Sequence, residues 1–180
     1  MMSSQSAVER RRAAGTLKTV FVGEKDVGKQ SLLCRIIRGD QDLDRVASIE
    51  AETINPKGNL AFEIFPNQYN DSPLGTLFSA AQIILVVFDV SRRRTLEEAI
   101  DQLQSSANLK DLDEKAEMLL VGHILGGGPR EVSSDEGAQV ALKFGMAYIE
   151  VDAERTTQDE LLSKLIQLGQ KYKSAIGQAY

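Results

Sequence analysis

Gly23 and Gly28 bracket a short loop, Gly23-Glu24-Lys25-Asp26-Val27-Gly28, and Lys29 follows at once. Before the loop runs T-L-K-T-V-F-V, residues 16–22, short, apolar and β-branched, the pattern of a buried strand. After it, Ser31 to Arg38 carries apolar residues at helical spacing and stops at Gly39. Strand, glycine loop and helix in that order form a setting in which backbone N–H groups and a helix N-terminus can hold phosphates. The loop meets the pattern G-x-x-x-x-G-K-[ST] everywhere but the last position, where Gln30 stands. A small Ser or Thr hydroxyl there can ligate Mg²⁺ without crowding the phosphates. The glutamine carbonyl sits on a longer arm and fits a tight octahedral shell poorly. Ser31 falls one residue late, on a different side of the helix. The candidate phosphate-binding residues are therefore Gly23, Asp26, Val27, Gly28, Lys29, Gln30 and Ser31, with Lys29 supplying charge to the β- and γ-phosphates. The alternative for Lys29 is a solvated loop lysine, and for Gln30 a plain helix N-terminal residue.

The rest of the chain alternates strands and helices. Residues 49–54 read as one strand and Leu60 to Phe65 as the next, with Asn55-Pro56-Lys57-Gly58-Asn59 as the turn between them. Ile83 to Phe88 is a fully apolar strand, and Met118 to Val121 another. Thr95 to Leu103 reads as an amphipathic helix with Thr95 as N-cap and Glu98 as its reciprocal partner. Ser134 caps a helix running to about Phe144 and ended by Gly145. Ala147 to Val151 is the last strand, and Gln158 to about Ala175 the last helix. Alternation of this kind predicts a parallel-dominated sheet covered on both faces.

Bulk properties exclude several classes. At 180 residues and 42% hydrophobic, the chain suits one domain with a real core. A net charge of −5 argues against a general nucleic-acid binder. Cys34, the single cysteine, sits among apolar helix residues and reads as packing. No apolar run reaches membrane-spanning length. Residues 1–15, polar with Arg10-Arg11-Arg12, read as a flexible tail; a mitochondrial presequence is the weaker alternative, because Glu9 interrupts the basic stretch. The expected location is cytoplasmic. His123, the only histidine, has no Cys or acid pair beside it and reads as a structural or surface residue. Arg92-Arg93-Arg94 reads as a solvated loop, with a phosphate or acidic-partner contact as the minority reading.

Taken in order, G-E-K-D-V-G-K-Q-S-L-L at 23–33, A-Q-I-I-L-V-V-F-D-V-S at 81–91 followed by Thr95-Leu96-Glu97, M-L-L-V-G at 118–122, Arg130 to Ser134 and Tyr148-Ile149-Glu150-Val151 resemble the Ras superfamily of small GTPases, most of all its Rab branch. The resemblance covers about residues 17–172. It implies an α/β Ras-like G domain over 16–176, with residues 177–180 as a short end. The sheet expected is about six-stranded and mostly parallel, with one antiparallel edge pair and helices on both faces.

The motifs through which the family does its chemistry depart from the pattern one after another. Where the resemblance implies D-x-x-G after the third strand, Pro66-Asn67-Gln68-Tyr69 stands, so neither the Mg²⁺ contact nor the γ-phosphate contact forms in the family's way. Asp71 with Leu74 or Gly75 is a shifted alternative, several residues beyond the strand. Where N-K-x-D should read guanine, the chain has His123-Ile124-Leu125-Gly126, and the supporting S-A-K appears as Asp152-Ala153-Glu154. Unmatched donors in a polar pocket cost about 1–3 kcal/mol each, so losing the aspartate removes most preference for guanine. Ser48-Ile49 and Thr53-Ile54 both stand as candidates for the switch threonine, and Asn70 or Asp71 occupies the neighbourhood of the water-orienting glutamine.

The resulting expectation is a pseudo-GTPase. This would be a Rab-like protein-interaction or scaffold module, with no catalytic or metal residues, no required cofactor and hydrolysis absent or very slow. Its protein partners would engage a Rab-like surface or the former switch regions, about residues 39–52 and 67–78. The alternative is a divergent nucleotide-binding switch that holds GTP or GDP weakly through Gly23–Lys29. Rab relatives usually end in prenylated cysteines, whereas Ile176-Gly177-Gln178-Ala179-Tyr180 contains none. No direct lipid anchor is therefore expected, and a partner would bring the protein to a membrane or a larger complex.

Overall fold

The computed structural model describes residues 15–39, 52–57, 60–65, 78, 80–105, 112–126 and 128–177. The β-branched run forms β1, Thr16–Val22, and everything from Leu17 onward in it is buried. Along the chain follow α1 (Lys29–Arg38), β2 (Glu52–Lys57), β3 (Leu60–Phe65), β4 (Ile83–Asp89), α2 (Arg93–Gln104), β5 (Glu117–Ile124), α3 (Ser134–Lys143), β6 (Ala147–Asp152) and α4 (Gln158–Ala175). The six strands make one sheet in the order β2-β3-β1-β4-β5-β6. β1 pairs in parallel with β3 and β4, as do β4 with β5 and β5 with β6, while β2 runs antiparallel on β3. This is the expected Ras-like architecture, mostly parallel with one antiparallel edge pair.

Side-chain alternation along a doubly covered strand explains why β4 is apolar throughout. Ile83, Leu85 and Val87 enter the core shared with Leu33, Ile36, Leu161 and Leu165 of α1 and α4. Ile84, Val86 and Phe88 enter the core shared with Leu96, Ala99 and Leu103 of α2 and Ala141 of α3. Each such side chain contributes about 1.5–3 kcal/mol on burial, enough for the central strand to anchor both layers. Cys34 lies wholly within the first of these cores, as a packing residue. No helix among the described residues is long and apolar enough to cross a membrane.

Four local expectations are corrected. Asn55-Pro56-Lys57 is not a turn but the end of β2, with a register irregularity between Ile54 and Lys57. Proline is tolerated there because β2 is an edge strand, where a missing N–H breaks no ladder. Thr95 does not cap α2. The helix begins at Arg93 with Arg92 extended before it, and the Thr95 hydroxyl accepts from the Asp89 N–H at 2.9 Å while donating to the Arg92 carbonyl at 2.7 Å. A buried hydroxyl one turn into the helix serves the strand end better than a solvent-facing cap, and Glu98 pairs instead with Arg94. The cap of α3 is Ser133, whose hydroxyl accepts from the Glu136 N–H at 3.2 Å, rather than Ser134. Finally, β5 continues beyond Val121 through Gly122, His123 and Ile124, because these positions keep pairing with β6 up to Ile124 opposite Asp152.

Candidate functional site

The carboxyl ends of β1, β4, β5 and β6 meet on one edge of the sheet. β1 has β3 on one side and β4 on the other, so the connections leaving its end diverge there, the place where open α/β sheets hold ligands. The loop after β1 occupies this point. Gly23 has φ +146°, and a Cβ on it would lie 2.2 Å from the Val87 carbonyl oxygen, so the loop leaves the sheet flat against β4. Asp26 (φ +62°) and Gly28 (φ +81°) both take left-handed conformations, with one residue between them. Alternation of that kind folds successive N–H groups toward a common concavity, the geometry that holds anions. α1 starts directly behind it at Lys29.

The carbonyl oxygens of Gly23, Glu24, Asp26, Val27 and Gly28 are occupied from within the protein. The Lys29 ammonium donates to those of Gly23 and Glu24. Arg92 Nη2, from the turn before α2, donates to Asp26 at 2.7 Å. His123 Nδ1, at the end of β5, donates to Val27 at 2.9 Å, and Leu32 N–H donates to Gly28 at 3.1 Å as the first bond of α1. Burial pushes the Lys29 amine down to about 8, against the pull of Asp26 and Glu24. A desolvated cation at a helix N-terminus is matched to a ligand bearing negative charge.

Behind the loop, Asp89 ends β4, almost wholly buried. Burial alone would raise its pKa, but bonds from the Ser91 hydroxyl (2.7 Å), the Ser91 N–H (2.9 Å) and Arg92 Nε (2.8 Å) hold it below the usual carboxylate range. His123 is 1% exposed, and burial lowers its pKa despite the bond to Val27 and the nearby Asp89. It is neutral near pH 7 and carries its proton on Nδ1, since a carbonyl can only accept. His123 is therefore a strut beneath the loop. The loop after β6 is tied down separately. Arg35 of α1 donates to the carbonyls of Ala153 and Thr156, and Asp152 Oδ1 accepts from Glu154 N–H at 2.8 Å.

The Ras family model matches residues 18–170. The chain belongs to the Ras family. Its relatives include the Ras-related protein Rab-18-B of Danio rerio, 30% identical over 177 residues, with 89% of this chain and 84% of the relative covered. The Ras-related protein Rab-18 of Lymnaea stagnalis is 28% identical with 89% and 85% covered, and the Ras-related protein Rab-11A of Dictyostelium discoideum 27% identical with 80% and 71% covered. The chain is a Rab-like small GTPase by family.

Within this Ras-family frame, the predicted loop residues do come together, Gly23 through Ser31 forming one continuous turn into α1. Gln30 is exposed in the first helical turn. Thr53 lies in the edge strand β2 opposite Glu63, exposed, and not in a loop leading to the site. Of the residues the resemblance sets at the base, His123 points under the loop, Ile124 packs against the second core cluster, and Gly126 has open space around it. No group of three His, Cys, Asp or Glu able to hold a metal lies among the described residues. Ser48, Pro66, Asn67, Gln68, Tyr69, Asn70, Asp71, Leu74, Gly75 and Gly127 lie outside the described residues, as does the N-terminal segment 1–14.

The arginine triplet was the missed signal. Arg92 reaches Asp89 and the loop, Arg93 pairs with Glu136 and Glu131, and Arg94 pairs with Glu98. Arg93 and Arg94 stay exposed, at 45% and 77%, as the solvated reading has it, though in the first turn of α2 and not in a loop; Arg92 alone reaches across to the loop after β1. Three adjacent arginines ahead of a helix rich in acids were the available cue; which acceptors they meet depends on residues far away in sequence.

Proposed function

We propose that this Rab-like protein has lost guanine selectivity and Mg²⁺-dependent hydrolysis and acts as a pseudo-GTPase, a protein-interaction module on a small-GTPase frame. The observation that carries it is the base-reading corner: His123, Ile124 and Gly126 stand where an amide, a lysine stem and a carboxylate are needed. With Gln30 replacing the metal-binding hydroxyl, the loop lacks the side chain that would ligate Mg²⁺, and Lys29 alone is left to neutralise charge in phosphoryl transfer. Protein partners would engage a Rab-like surface or the segments around 39–52 and 67–78. A partner would bring the protein from the cytoplasm to a membrane or complex. The test is single-turnover hydrolysis of GTP with Mg²⁺, alongside titration of GTP and ATP. The expected result is no turnover and no preference between the bases. Turnover at rates of ordinary Rab proteins, or strong guanine preference, overturns the proposal.

A second reading has its own support. The left-handed pair Asp26 and Gly28, with Lys29 desolvated behind them, keeps the shape and charge of a phosphate cradle. The chain would then hold a nucleotide weakly through Gly23–Lys29, by its phosphates alone. Binding of GDP and ADP with equal, metal-independent affinity is its expected signature in calorimetry.

A further inference from the structure

We propose that Arg92 is a positioning residue of the phosphate loop, holding the Asp26 carbonyl so that the loop presents N–H groups to the diphosphate of a metal-free nucleotide. The proposal rests on the second reading above, that the loop still takes phosphate. A loop that binds an anion must turn its carbonyl oxygens away from it, because each is a partial negative charge. Lys29 and Leu32 do this for their carbonyls from inside the loop's own neighbourhood, and His123 does it for Val27 from the end of β5. The Asp26 carbonyl is different. Asp26 is not a glycine, yet it holds φ +62°, a left-handed conformation that aspartate tolerates better than most residues but still at some cost, so a fixed partner on its carbonyl helps to hold it. What meets its carbonyl comes from across the sheet edge: Arg92 Nη2 at 2.7 Å, 66 residues away in sequence.

Arg92 is equipped to hold that position. Its Nε donates to Asp89 Oδ2 at 2.8 Å while Nη2 reaches Asp26, so the planar guanidinium spans two acceptors in a fixed direction. Asp89 in turn is immobilised by the Ser91 N–H and hydroxyl on its other oxygen. The end of β4 thereby sets the backbone of the loop after β1. Arg92 touches no phosphate in this scheme; it acts through Asp26.

Calorimetric titration of the full chain with GDP in EDTA, next to thermal denaturation, tests the assignment. Arg92→Ala is expected to weaken GDP about tenfold, the loss that follows from one charge-assisted hydrogen bond, with little change in Tm. Arg92→Lys, which can still donate to Asp26, recovers most of the affinity. Arg93→Ala, whose partners are Glu131 and Glu136, binds as wild type. Wild-type affinity in Arg92→Ala overturns the positioning role while leaving the cradle intact. A loss that Arg92→Lys does not recover, or that comes with a lower Tm, marks structural damage and also overturns it. Absence of GDP binding by the wild-type chain, with or without Mg²⁺ up to millimolar ligand, removes the phosphate reading itself and the proposal with it.

Discussion

His123 Nδ1 donates to the Val27 carbonyl at 2.9 Å across 96 residues of sequence, joining the end of β5 to the loop after β1. A Cβ on Gly28 would lie 2.3 Å from that same nitrogen, so ring and loop are in direct contact. Charging the ring near pH 6 is opposed by burial, and Arg35 opposes it further, while Asp89 and Asp152 favour it. The net pKa is lowered, so below about 6.5 the unfolded chain binds a proton that the folded chain does not. Stability contributed by neutral His123 is therefore present above that pH and lost as pH falls toward the folded value. Urea denaturation at pH 7.5 and 5.5 is expected to show a loss in the wild type that His123→Asn reduces; equal losses in both proteins contradict the assignment.

Lys29 carries the opposite balance of function and stability. Its amine is pushed from 10.5 to about 8 chiefly by burial, so keeping it charged at neutral pH costs folding free energy. Sign follows from proton count: between about 8 and 10.5 the unfolded chain holds more protons, and stability rises with pH across that window. Lys29→Met is expected to raise Tm at pH 7 by a few degrees, about 1 kcal/mol after discounting for the solvent-exposed part of the side chain. The gain should shrink above pH 9. Scanning calorimetry of both proteins at pH 7 and 9.5 reads this directly.

Gly23→Ala tests the contact between loop and sheet. The added Cβ meets a backbone oxygen, Val87 O at 2.2 Å, which cannot swing aside as a side chain would. With φ +146° also unfavourable for an L side chain, the variant is expected to lose about 2–4 kcal/mol. A chemical-denaturation midpoint within error of wild type refutes the described path of the loop.

At the far pole, the Tyr172 hydroxyl donates to Asp113 Oδ2 at 2.5 Å, with tyrosine 0% and aspartate 8% exposed. Tyr172→Phe leaves the ring packing intact and deprives a buried carboxylate of one donor. A loss of about 1–3 kcal/mol is expected, without change in GDP binding. A change in GDP affinity sinks the separation of the two poles.

The two glycines with their lysine, the apolar 83–88 run and the helical spacing of 158–175 were readable because each is a local pattern whose meaning does not depend on distant partners. The same locality explains the misreadings. Asn55-Pro56-Lys57 has turn chemistry, yet an edge strand absorbs a proline, and only the strand order shows that β2 is an edge. Thr95 followed by Glu98 has cap chemistry, yet the Asp89 N–H claims the hydroxyl first. His123 read rightly as structural or surface, but which of the two could not be read, because its acceptor lies 96 positions earlier.

By itself the sequence determined the α/β class, the two-sided core and the candidate loop, since these follow from residue type and spacing. Only the tertiary structure decided what pins that loop. Asp89 and His123 lie on strand ends that parallel pairing brings side by side, Arg92 follows in the turn after β4, and hydrogen bonds reach barely 3 Å, so their roles exist only once the sheet has formed.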